Sequence, residues 1–135
     1  IQDPGNFGTI IRTADWFGIT QIVCSPSNVE QFNPKTIQAS MGSVFRISIH
    51  YTDLPDFLSS IKEPIHGALL AGTSIYETNA AKMKYLVLGN EGNGISKDVL
   101  SYISHPILIP GRGAADSLNV GIACGIFLAE WNRAL

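Results

Sequence analysis

The 135-residue chain is 45% hydrophobic and 15% charged, which supports one compact core and excludes a disordered segment. No apolar run approaches the roughly 18 residues of a membrane span, and no charged start leads into an apolar stretch with a cleavage site. The formal net charge of −2 and pI of about 5.8 argue against RNA as a partner unless a local patch, or another part of the polypeptide, supplies the affinity.

In chain order, Asp3-Pro4-Gly5-Asn6 reads as a turn with Asn6 as a helix N-cap. Ile10, Ile11, Ala14 and Phe17 recur at helical spacing, and Gly18 ends the helix. A short strand is predicted from Gln21 to Ser25. A second helix opens at Asn33-Pro34, with Pro34 in its first position. Phe45, Ile47 and Ile49 alternate with Arg46, Ser48 and His50, the pattern of a strand with one polar face. Asp53 or Asp56 caps a helix through Ile61. Ala68 to Ala71, Tyr85 to Leu88 and Ile107 to Ile109 are continuous apolar runs, read as strands of a parallel sheet buried on both faces. Ser96 caps a short helix between the last two. The chain ends in a mostly apolar helix from about Leu118 to Arg133, in which Gly121, Cys124 and Gly125 admit close backbone approach. The sum is an α/β domain with a mainly parallel sheet flanked by helices.

Cys24 and Cys124, 100 positions apart, read as buried thiols in a reducing cytoplasm, and no paired Cys/His spacing suggests zinc. His50, His66 and His105 have no complementary nucleophile motif and read as structural or solvated.

Ligands of parallel α/β sheets bind at the carboxyl ends of the strands. Two of the apolar runs lead directly into glycine-rich loops, Gly89-Asn90-Glu91-Gly92-Asn93-Gly94 and Pro110-Gly111-Arg112-Gly113. Three polar islands follow. In the first, Thr9, Arg12 and Trp16 share a helical face, and Arg12 is either functional or a solvated charge paired with Asp15. In the second, Glu91 sits among glycines that permit tight turns, without the spacing of a dinucleotide fingerprint or a P-loop. In the third, Asp116 or Ser117 caps the last helix, which leaves Asn119 unexplained. Singly, each island has a structural explanation.

Together the islands resemble the three motifs of the SpoU-type, TrmH-like branch of the SPOUT RNA methyltransferases. Motif one matches as Asp3-Pro4-Gly5-Asn6, then Gly8, Arg12-Thr13-Ala14 and Phe17-Gly18. Motif two matches as Leu88-Gly89-Asn90-Glu91-Gly92 with Gly94. Motif three matches as Ile109-Pro110, then Ser117-Leu118-Asn119-Val120 and Ala123. Ala39-Ser40-Met41-Gly42-Ser43 is also similar to the family.

The resemblance implies a SPOUT-type fold with a C-terminal trefoil knot, an exception to ordinary topology. It implies a homodimer, and methyl transfer from S-adenosylmethionine to a ribose 2′-hydroxyl of tRNA or rRNA, without a metal. Thr73, Leu88, Gly89, Gly92, Ile109, Ser117 and Leu118 match cofactor-binding positions. Asn6, Arg12, Glu91, Ser117 and Asn119 match the catalytic set, with Glu91 expected to orient Arg12 and Asn6 to hold either Arg12 or the ribose. Lys82, Lys84, Lys97 and Arg112 are either a phosphate-facing set or solvated charges. Two features depart from the family. Gly111 stands where an apolar residue usually follows Ile-Pro, and the strand that normally precedes motif one is expected to be absent or cut short. Residues 1–135 are therefore expected to be a single catalytic domain without its first strand and any N-terminal RNA-binding extension. The alternatives are a non-catalytic RNA-binding relative, a nucleotide-binding α/β domain, and a protein methyltransferase.

Overall fold

The computed structural model describes residues 1–135. The first helix, α1 (Pro4–Trp16), is capped by Asp3, whose carboxylate accepts from the Asn6 amide at 2.7 Å. The expected cap at Asn6 is thus corrected. Pro4 fits the first helical position because its missing N–H needs no partner there, which moves the cap one residue upstream of it. β1 (Gln21–Cys24) follows. α2 (Pro34–Ser40) is capped by Asn33, as its Asn-Pro pair predicts.

The alternation from Phe45 to His50 gives a shorter strand than expected. Ser43–Phe45 is a turn of 3-10 helix, and β2 (Ser48–Tyr51) starts only afterwards. Met41 and Gly42 both take left-handed backbone, so the chain leaves α2 in a sharp reversal and Phe45 ends up on the surface. α3 (Leu54–Ser59) is capped by Asp53.

The second half holds β3 (Ile65–Ser74), β4 (Tyr85–Val87), α4 (Lys97–Leu100) and β5 (His105–Leu108). The last helix, α5 (Val120–Arg133), is capped by Asn119, whose side chain accepts from the Gly121 and Ile122 amides. Asp116 and Ser117 are therefore not its caps. The unexplained asparagine is the cap itself, and the residues before it remain loop.

All strand pairings are parallel. β1 pairs with β2, and β3 lies between β4 and β5. The α/β class and the parallel sheet flanked by helices are as expected, but the strands form two sheets. The apolar runs are also less enclosed than expected. β4 is half-buried throughout, and the later part of β3 is exposed, with Leu70 79% accessible. The reason lies in register: Ala68 and Thr73 both align with Ile107, so residues 69 to 72 bulge away from β5. Gly72 makes the bulge possible, since a Cβ there would stand 2.4 Å from the Pro106 carbonyl oxygen.

Three apolar clusters fill the interior. Phe7, Ile10, Ile11 and Ala14 of α1 meet Cys24, Val44, Cys124 and Leu128. Ile75, Met83, Ile107 and Phe127 form the second cluster, and Leu58, Ile65, Ile95 and Val99 the third. α5 enters the first two, and Leu86 and Leu88 pack on both, so this helix and β4 join the halves. α1 packs on α2 through Gly8, where a Cβ would lie 2.5 Å from that of Ala39. On its other side it meets α5, with Thr9 against Gly121 and Thr13 against Gly125. Because both residue pairs ascend together, α1 and α5 run parallel. No helix is long and apolar enough to cross a membrane.

Candidate active site

The site is assembled by one loop that reaches across the fold. After β4, Asn90 and Gly94 exchange backbone hydrogen bonds at 2.8 and 3.0 Å, closing a tight turn. The Asn90 carboxamide oxygen accepts from the Gly92 and Asn93 amides within it. Gly89 is required here, since a Cβ would stand 2.4 Å from the Gly94 carbonyl carbon. This turn presents Glu91 to the start of α1. One carboxylate oxygen of Glu91 accepts from the Gln2 amide at 3.2 Å. The other accepts from the Asp3 amide at 3.2 Å and from Asn6 Nδ2 at 3.3 Å. Asn6 Oδ1 in turn accepts from Asn119 Nδ2 at 2.8 Å. Asn119 Oδ1 caps α5 by accepting from Gly121 at 2.9 Å and Ile122 at 3.2 Å.

Glu91, Asn6 and Asn119 are thereby connected, by bonds that join positions 85 and 113 apart. Each amide has one orientation in this chain, because Asn6 must donate to a carboxylate and Asn119 must accept from two N–H groups. Partial burial raises the Glu91 carboxyl. The amides of Glu91 itself, Gln2 and Asp3, together with Asn6, outweigh that effect and hold it below its ordinary value. Glu91 is therefore an anion with engaged lone pairs, suited to holding position and poorly suited to accepting a proton.

Arg12 is exposed on α1 and makes no hydrogen bond or ion pair. Two expectations are corrected here. Glu91 does not hold Arg12, because its oxygens are taken by the start of α1, and Asn6 is occupied by Glu91 and Asn119. Nor does Asp15 neutralise Arg12: Asp15 accepts from Arg46 Nε at 2.8 Å and from Ser43 Oγ at 2.7 Å. The guanidinium of Arg12 is free for another molecule.

The remaining residues of the expected site surround one exposed loop. Leu88 and Ile109 pack on the same cluster, and Thr73 stands opposite Ile107 on β3. Residues 110 to 118 make no hydrogen bond to the rest of the chain, through backbone or side chain, and all are exposed. Ser117 and Leu118 lie at its end, beside the Asn119 cap. A run of open amides and carbonyls next to the close turn at Gly89 suits a polar ligand read by backbone groups, such as a nucleoside. Sequence reasoning missed the Gln2 and Asp3 amides, which carry no side-chain signal, and the bulge at residues 69 to 72. The glycine at 72 was the available clue. No group of three or more His, Cys, Asp or Glu side chains is placed to hold a metal ion.

Comparison with known proteins fits this geometry. Residues 1–129 match the model of the SpoU rRNA Methylase family. The chain belongs to that family. It is 35% identical over 132 residues to the 23S rRNA (guanosine(2553)-2'-O)-methyltransferase RlmP of Bacillus subtilis, covering 95% of this chain and 53% of that protein. Among solved structures, a putative RNA methyltransferase of the TrmH family from Porphyromonas gingivalis superposes with a TM-score of 0.91 at 40% identity, over 100% of this chain and 57% of that one. An AdoMet-bound rRNA methyltransferase from Sinorhizobium meliloti gives a TM-score of 0.91 at 37% identity, over 99% and 53%. The chain thus spans about half the length of these curated relatives.

Proposed function

We propose that this SpoU-family chain transfers a methyl group from S-adenosylmethionine to a ribose 2′-hydroxyl of tRNA or rRNA. The observation that carries the reading is the Glu91–Asn6–Asn119 chain at the start of α1, with Arg12 unpaired further along the same helix. Relatives named as rRNA 2'-O-methyltransferases and AdoMet-bound neighbours support the choice of cofactor and acceptor.

When bound, S-adenosylmethionine supplies a methyl group activated by its sulfonium charge. Gly89, Gly92, Ile109, Ser117 and Leu118, with Thr73 and Leu88 behind them, would hold it through backbone groups of the two loops. Arg12 is not assigned as the base, because a guanidinium offers five N–H donors and no acceptor lone pair. Its role is to bind the RNA phosphate or the developing alkoxide, which lowers the pKa of the hydroxyl so that its proton passes to solvent water. Glu91 fixes Asn6, and Asn6 with Asn119 fixes the start of both helices, so the acceptor meets preset donors. Ser117, free of internal bonds, is available to the acceptor or cofactor.

The same reading includes a trefoil knot closed by the loop at residues 110 to 118 and α5, and a homodimer. Family membership supports the knot. Exposed Trp16, Leu118 and Ile122, near the seam of α1 and α5, support the dimer. Unpaired, buried cysteines suit a reducing cytoplasm.

The test is Arg12→Ala assayed with labelled S-adenosylmethionine and total RNA. Methyl transfer falls at least a hundredfold, while cofactor binding by calorimetry changes less than about threefold, since one preorganised electrostatic donor is removed. Equal loss of both would reassign Arg12, and label on protein rather than RNA would overturn the acceptor.

A further inference from the structure

The segments that flank α2 place two aromatic rings at the surface, Phe32 before the helix and Phe45 in the 3-10 turn after it. Phe32 is 57% exposed and Phe45 71% exposed, and their rings stack with centroids 6.4 Å apart at 24°. Met41, four residues before Phe45, is also largely exposed. Their neighbours are firmly held. Val44 and Ile47 are buried on either side of Phe45. Ser43 and Arg46 both bond to Asp15 of α1. The backbone that carries Phe45 is therefore anchored at both ends while its ring points outward, the arrangement of a preorganised contact.

The position of the rings relative to Arg12 follows from helix periodicity. Gly8 packs against α2, and Asp15 holds the 3-10 turn that follows it. Arg12 is four residues after Gly8 and three before Asp15, so it lies on the same side of α1. Arg12 therefore lies about one helical turn from Asp15, which holds the 3-10 turn that carries Phe45.

We propose that Phe32 and Phe45 form a stacking platform for an unpaired base flanking the methylated nucleotide. This inference rests on RNA being the acceptor. Stacking suits an acidic protein, because a base has an apolar face that needs no basic field. Arg46 is paired with Asp15 through Nε and Nη2, but its Nη1 makes no hydrogen bond and is a donor that can meet the adjoining phosphate. Glu30, two residues before Phe32, limits attraction by charge, which leaves recognition to the rings. A protein partner fits less well. Three side chains of this size, more than half exposed, present roughly 400 Å², and a stable protein interface takes about 800 Å² from each partner.

The experiment compares the wild type with Phe32→Ala/Phe45→Ala and with Phe45→Trp. The probe is an unstructured RNA oligonucleotide carrying 2-aminopurine, whose fluorescence is quenched on stacking. The double variant loses the quenching and binds about tenfold more weakly. Its cofactor binding and its rate at saturating RNA stay at wild-type values, and Phe45→Trp retains the quenching. Unchanged quenching and affinity in the double variant overturn the platform alone. A fall in oligomer mass on sedimentation also overturns it, by assigning the rings to a second copy of the chain. If the wild type neither binds the oligonucleotide nor methylates RNA, the RNA reading fails and the platform with it.

Discussion

Asn119 caps α5 and, in the proposed mechanism, also orders the acceptor site, and two substitutions separate these duties. Asn119→Ala removes the cap of α5 and costs about 1–2 kcal/mol in chemical denaturation. Asn119→Asp keeps an acceptor at the helix start, where a negative charge is favourable, so stability stays within about 1 kcal/mol. It removes the donor to Asn6 Oδ1, however, and places two oxygens against each other. Turning the Asn6 amide to relieve this would break its bond to Glu91. Methyl transfer by Asn119→Asp therefore falls at least tenfold with a near-native denaturation curve, and a parallel loss of stability would refute the separation. Glu91 predicts the acid limit of the same site. Its folded pKa is lowered from 4.5, so its bonds to the start of α1 persist above that value. They are lost as pH falls through the lowered folded value. Glu91→Gln flattens this acid transition in a titration followed by circular dichroism. The identities of Asn6, Glu91 and Asn119 were legible as islands of polar residues among glycines. Their mutual bonds were not, because they join positions 85 and 113 apart and depend on how the helices meet.

At the scale of elements, two glycines in helices look alike in sequence and differ in space. A Cβ on Gly8 would lie 2.5 Å from Ala39 Cβ and 2.6 Å from the Thr36 carbonyl oxygen, so Gly8→Ala must push α1 from α2. Better helix propensity returns about 1 kcal/mol, but overpacking costs about 1–3 kcal/mol, and the backbone contact favours the upper end. On Gly125 the nearest atom, Thr13 Cγ2, is at an ordinary 3.9 Å. Gly125→Ala is therefore neutral or stabilising by up to about 1 kcal/mol. Urea denaturation of the two variants checks the difference in sign. Helix starts marked by proline were legible at α2, where Asn33 caps as expected. They were off at α1, because Asp3 and Asn6 are both good caps and only Pro4 decides between them. The β3 bulge was hidden for a different reason: alternation and apolar runs report burial, whereas register depends on the partner strand.

At the scale of the whole molecule, the parallel α/β class followed from short apolar runs separated by helical patterns. The division into two sheets did not, since no local pattern states which strands are neighbours. What joins the halves is α5, with Cys124 and Leu128 in one cluster and Phe127 in the other. This also explains its composition. A helix serving two cores is apolar on more than one face, and Ile122, 57% exposed, is left over. Trp16, 83% exposed, lies three residues beyond Thr13, which faces α5. Single exposed apolar residues need no explanation, but a tryptophan and an isoleucine flanking one helix seam are where the proposed dimer would pair. If two copies pair there, the wild type sediments at about twice the 14.6 kDa chain mass. Trp16→Glu then sediments as a single chain, because a charge placed at the centre of an apolar contact cannot be desolvated cheaply. The tryptophan contributes little to the fold of the isolated chain, so the spectrum of the variant by circular dichroism stays native. Its cofactor binding and methyl transfer distinguish two architectures. Loss of transfer with the dimer means that the partner completes the site around Arg12. Full activity as a monomer means that the Glu91–Asn6–Asn119 chain and Arg12 of one copy suffice, and that the dimer proposal has no catalytic content.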